Sequence, residues 1–215
     1  MADLAQIEAL AAAHHLTVLG GFACEGEADL PAGTRSVLLL GPAAQGYWPH
    51  VTSQPEWLDG AADPIDRWSR RVIGGMACAL GAKARFPFGG PPYHPFYQWA
   101  LRTGRIWESP VRLLVQAEHG LMVSFRGALA LKELVEVPQA VRPCESCPAP
   151  CLTACPVGAL GAAGYDLPAC HAFLDSAAGG DCMNSGCAVR RACPLPLGRA
   201  RLAEHSAYHM GIFHK

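Results

Sequence analysis

Apolar side chains return every third or fourth residue at the start of the chain, where Leu4, Ile7, Leu10 and Ala11 follow Asp3. That period, with an acidic residue able to cap, predicts a helix over residues 3–15. TVLGGFAC follows, and SVLLLGP at residues 36–42 is a continuous apolar run between turn signals, as expected of a buried strand. The clearest helical pattern is DPIDRWSRRVIGGMACAL. There Asp63 stands ready to cap, Pro64 suits the first helical position, Asp66 favours the positive end of the helix dipole, and Ile65, Trp68, Val72 and Met76 share a face. Gly74 and Gly75 weaken its middle. Another helix is expected from Pro95 to Thr103, with Gly104 as its stop.

Beyond that helix the period falls to two. RLLVQ and LMVSF flank AEHG, which predicts a hairpin turning at His119 and Gly120, and ALALKELVEVP is placed to extend the same sheet. Helices and strands mixed without a repeating strand-helix unit indicate an α+β fold. At VPQAVRP the composition shifts, and from there Cys, Pro, Gly and Ala dominate while large apolar side chains thin out. The division expected is an α+β domain over residues 1–138 and a small Cys-rich domain over residues 139–215. The second is too poor in apolar bulk to stand by burial alone and calls for an inorganic staple.

Of 215 residues, 51% are hydrophobic and 16% charged, with a formal net charge of -1, so no electrostatic footprint for nucleic acid or anionic lipid is present. Apolar runs are too short for a membrane span. The opening MADLAQIEALAAAHH carries acids where a secretory leader carries Lys or Arg, and a cytoplasmic protein is expected.

Ten cysteines change the picture. Cys24 and Cys78 stand apart and are expected to be buried free thiols. The others crowd into the last third, where a reducing compartment disfavours disulfides and leaves metal or redox chemistry. CESCPAPCLTACP supplies Cys144, Cys147, Cys151 and Cys155 and ends on Pro156; it is the bacterial ferredoxin run C-x2-C-x2-C-x3-C-P with one residue added in the second gap. Three close thiolates wrap one cube, while the proline after the fourth redirects the chain so that this thiolate reaches a different cube. Cys170, Cys182, Cys187 and Cys193, the last followed by Pro194, complete the thiolates that two cubes need. On the usual exchange of ligands, Cys144, Cys147, Cys151 and Cys193 are assigned to one [4Fe-4S] cluster and Cys155, Cys170, Cys182 and Cys187 to the other. Zinc is the competing reading, although its thiolate sites are commonly built from paired two-cysteine knuckles. Arg190 and Arg191 fit two roles equally, offsetting the charge of a cluster or lying solvated on a helix.

The Cys144–Cys193 region resembles the tail of epoxyqueuosine reductase and of the corrinoid-dependent reductive dehalogenases, including an isolated cysteine, Cys170 in YDLPACHAFL, after the first Cys-Pro. Upstream, WALRTGRIWESPVRLLVQAEHGLMVSFRGALAL is similar to the core of those reductases. It is also similar to the cobalamin-processing (cblC-type) protein, through DPID at Asp63–Asp66, SFRG at Ser124–Gly127 and VEVP at Val135–Pro138. The resemblance implies a nitroreductase-like mixed sheet with helices followed by a ferredoxin-like domain with two [4Fe-4S] clusters, and cobalamin as a further cofactor. RFPFGGPPYHPFYQW, residues 85–99, lacks the acidic proton donor of epoxyqueuosine reductase, so that substrate is not expected. The function expected first is the relay of single electrons to the N-terminal domain, a redox partner protein or a small-molecule acceptor. A corrinoid-linked oxidoreductase comes second and a protein with purely structural clusters third.

Among lesser candidates, FGGPP lacks the dinucleotide and Walker patterns and is read as a loop. Tyr93, His94, Tyr97 and Trp99 are read as core aromatics before a cofactor pocket. His119 is expected to be exposed at its turn, and His205 and His209 to lie on a solvated terminal helix.

Overall fold

In the computed structural model, which describes residues 2–27 and 29–215, the chain is mixed α/β with antiparallel sheets. It forms two compact units: one runs to Ile106 and resumes over Ser124–Ala140, and the other comprises Trp107–Val123 and Val141–Lys215. Composition places a single break near residue 138, whereas the units interleave. The physical reason is apolar bulk. Within the second unit Val111, Val115 and Leu121 form a core with Cys151, Leu160 and Val189, supplying side chains that the Cys-rich segment lacks.

The first unit is built on a four-stranded sheet of β1 (Leu16–Ala23), β2 (Ser36–Pro42), β3 (Lys83–Arg85) and β6 (Gly127–Leu131), in the order β1-β2-β6-β3. All three pairings are antiparallel. Val37–Leu40 and Ala128–Leu131 are buried, which explains why both runs are apolar without alternation: each is covered on both faces. Ser36 ties the end of the sheet, donating to Glu133 O at 2.8 Å and accepting from Val135 N–H at 3.2 Å. ALAL therefore joins this central sheet and does not extend a hairpin with RLLVQ.

Helix α1 (Leu4–Ala12) starts as predicted, with the Asp3 carboxylate accepting from Gln6 N–H at 2.8 Å. After the short helices α2 (Tyr47–Thr52) and α3 (Pro55–Leu58) comes α4 (Pro64–Ala79), which buries Ile65, Trp68, Val72 and Met76. Asp63 precedes it but makes no side-chain cap; its φ of 52° is left-handed, whereas a capping residue needs extended backbone to reach the first N–H groups. Cys24 is buried, but Cys78 is exposed on α4. In α5 (Phe96–Arg102) Trp99 is buried and His94 stacks on it at 5.7 Å, while Tyr93 and Tyr97 face solvent, so the aromatic group divides between core and surface.

In the second unit β5 (Leu114–Gln116) pairs with β4 (Ile106–Glu108), not with LMVSF, which forms no strand. The turn between them and Leu121 is held by Gln116, whose side-chain oxygen accepts from the N–H groups of Glu118 and His119, both at 2.7 Å. His119 is buried, contrary to its expected exposure, and burial holds its imidazole below the ordinary value. The remaining elements are a 3-10 turn at Pro150–Leu152, a ribbon of β7 (Leu160–Gly161) and β8 (Gly164–Tyr165), and helices α6 (Leu167–Leu174), α7 (Gly180–Ser185), α8 (Ala188–Arg191), α9 (Pro196–Arg199) and α10 (Ala203–Phe213). His205 on α10 is buried, with its Nε2 3.2 Å from that of His209, so this helix is not the solvated one expected. Among the described residues no helix is long and apolar enough to cross a membrane.

His50 packs against His15 at 4.8 Å and Trp68 at 6.0 Å between ring centroids. Burial holds His50 and His14 below the usual imidazole value, with His15 adding to the effect on His50 and Arg71 to that on His14. The folded chain thus binds fewer protons than the unfolded chain just below pH ~6.5; this stability is whole above that value and falls as pH drops toward the depressed values. Thermal denaturation is expected to give a lower melting temperature at pH 5 than at pH 7.5, and a smaller difference in His50→Phe, which keeps the ring but cannot titrate.

Candidate metal centre

All ten cysteines are free thiols. Cys144 and Cys147 lie on a turn in which Cys147 N–H donates to Cys144 O at 3.4 Å. Ala149, with a left-handed φ of 52°, reverses the chain, and its N–H donates to Cys147 Sγ at 3.4 Å. The 3-10 turn that follows buries Cys151. Cys193 arrives from just beyond α8. These four cysteines line one cavity, about 290 Å³ of empty space including its open mouth, together with Val115, Leu121 and the prolines 110, 150 and 194. Ser109 also lines it, and its buried hydroxyl has no hydrogen-bond partner within the chain. Burial pushes the Cys144 thiol up, with Cys147, Cys151 and Cys193 adding to it; burial also raises Cys151.

Cys155, Cys170, Cys182 and Cys187 gather separately. Cys170 sits on α6, Cys182 is buried on α7, and Cys187 is the N-cap residue of α8. Burial raises the Cys170 thiol, the Tyr165 hydroxyl opposes this by donating to Cys170 Sγ at 3.3 Å, and Cys187, Cys155 and Cys182 add to the rise. Beside this group Asp175, His214 and His171 form a chain: His214 Nε2 stands 3.1 Å from Asp175 Oδ1, and the Nδ1 atoms of His214 and His171 are 2.7 Å apart. Phe213 stacks on His171 at 4.8 Å, which ties the end of α10 to α6.

Sulfur ligands in an apolar recess select soft metals and iron-sulfur clusters over hard cations. Thiols held up by burial keep their protons until a cation displaces them, so loading such a site releases protons. Among the described residues no group of three or more His, Cys, Asp or Glu converges on the position of a single ion. Cys144, Cys147, Cys151 and Cys193 instead line one shared recess. Neither Ser109 nor Tyr165 stands out in the sequence; a lone hydroxyl acquires meaning only from what folding sets beside it.

Gly120 controls the approach of Cys193. Its φ is 58°, and a Cβ placed on it would lie 2.6 Å from Cys193 Sγ. Gly120→Ala is expected to cost about 1–3 kcal/mol from backbone strain alone and to push Cys193 off the cavity. Denaturant unfolding measures the first effect, and a loss of metal retained per chain the second. Comparison of the whole chain with protein-family models, curated proteins and solved structures gives no match.

Proposed function

We propose that the chain is an iron-sulfur electron-transfer protein. One [4Fe-4S] cluster is held by Cys144, Cys147, Cys151 and Cys193, the other by Cys155, Cys170, Cys182 and Cys187, and single electrons pass to the rest of the chain, a redox partner protein or a small-molecule acceptor. The finer fold reading belongs with this: a nitroreductase-like sheet in the first unit and a ferredoxin-like arrangement in the second.

The observation that carries the proposal is the cavity lined by four thiols and otherwise almost wholly by apolar groups. Clusters of this type supply one-electron chemistry at potentials of roughly -700 to +450 mV. The chain's own residues do the rest. The turn at Cys144 and Cys147 and the 3-10 turn at Cys151 present three sulfurs from one short segment, and Cys193 closes the ring from the far side. Val115, Leu121 and the three prolines limit water at the sulfurs, and the Ala149 N–H supports Cys147.

Anaerobic reconstitution is expected to give about eight iron and eight sulfide per chain, with a reduced-state EPR signal. Cys147→Ala combined with Cys151→Ala is expected to remove about half of the iron, and Cys170→Ala combined with Cys182→Ala the other half. Folded protein that takes up zinc but no iron, and remains EPR-silent after dithionite, would falsify the proposal.

A further inference from the structure

We infer that His205 and His209 on α10 form a metal site separate from the cysteines, a two-imidazole site for a borderline divalent ion of the zinc class. It does not depend on the cluster reading above. Four residues apart on a helix, the two lie on one face. That spacing alone says nothing of where the rings point. In the fold they turn toward each other, with ring centroids 5.0 Å apart and Nε2 atoms 3.2 Å apart.

Two nitrogens held at the usual zinc distance of about 2.0–2.1 Å and at the tetrahedral angle are about 3.3–3.4 Å apart. The Nε2 separation is close to that span, so an ion enters with only a small rotation of the rings. Another histidine pair fits less well: the Nδ1 atoms of His171 and His214 are 2.7 Å apart, and Asp175 already engages Nε2 of His214. A hydrogen bond between two neutral imidazoles uses one proton for two nitrogens. An ion that displaces this proton to solvent takes a lone pair from each ring.

The surroundings hold the pair in place. His205 is buried, which limits the swing of its ring, and Tyr208 packs edge-on against His209 with ring centroids 5.5 Å apart. The helix is fixed as well: Gly186, just past α7, meets α10 so closely that a Cβ on it would lie 2.8 Å from Ser206 Cβ. Side chains already ordered lose little freedom on binding, which favours chelation. Imidazole suits zinc, copper and nickel over hard cations. Among the described residues no third His, Cys, Asp or Glu joins the pair, so water completes the shell of a bound ion from the side of the half-buried His209.

The test is zinc retention by the full chain, measured by equilibrium dialysis against Zn2+ with wild type and His209→Gln side by side. Metal on the cysteines is common to both and cancels in the difference. Wild type is expected to keep an additional zinc ion that the variant loses, and zinc is expected to raise the melting temperature of wild type more than that of the variant. Unmutated protein provides a second measurement, which stands even where the glutamine variant does not fold. Zinc is expected to protect His209 from carbethoxylation by diethyl pyrocarbonate, read by peptide mass spectrometry. Equal zinc retention by wild type and a folded variant, or carbethoxylation of His209 unchanged by zinc, overturns the inference, and neither result bears on the cluster reading.

Discussion

A thiol in an apolar cavity is expensive to ionise, and several facing one another are more expensive still. In the second unit Cys144, Cys147, Cys151 and Cys193 share one recess, and burial raises the thiols of Cys144 and Cys151. Such an arrangement is a poor core, since sulfurs around empty volume forgo the dense packing that stabilises an interior. It becomes favourable when a cationic group fills the volume and takes the protons' place. Ala149 and Gly120 both have left-handed backbone beside this recess, and Pro110, Pro150 and Pro194 line it.

The same scarcity of apolar side chains explains the interleaving of the units. Between Val141 and Lys215 the chain has few large aliphatic residues to bury, and the excursion Trp107–Val123 brings Val111, Val115 and Leu121 to Cys151, Leu160 and Val189. Leu121 has two further tasks: its side chain lines the cavity and its carbonyl accepts from Arg190. The first unit has no such shortage. Its β2 and β6 are apolar on both faces, and α4 buries Trp68, Val72, Ile73 and Met76 along one side, so ordinary hydrophobic burial suffices there.

Charges follow a parallel division. In the first unit arginines pair with carboxylates, as with Arg102 and Glu27 or Arg126 and Asp66. In the second, adjacent arginines on a single helical turn part company: Arg191 goes to Asp181 and Arg190 to the carbonyl of Leu121. Sequence treats those two residues as equivalent, and only the partners that folding brings to each separate them.

Periodicity and spacing in the sequence were enough to mark α1, β2, α4 and α5, because each buries one continuous face whose pattern is local. The short gaps between the late cysteines also mark them as a cluster, and folding gathers them into two groups of four. Tertiary structure alone decided that ALAL pairs with β2, that LMVSF is not a strand, that His119 and His205 are buried, and that Tyr165 stands beside sulfur. Each of those outcomes depends on partners distant in the chain. A period of two marks a strand's faces but not its neighbour, and a hydroxyl, imidazole or guanidinium takes its role from the groups that folding sets around it.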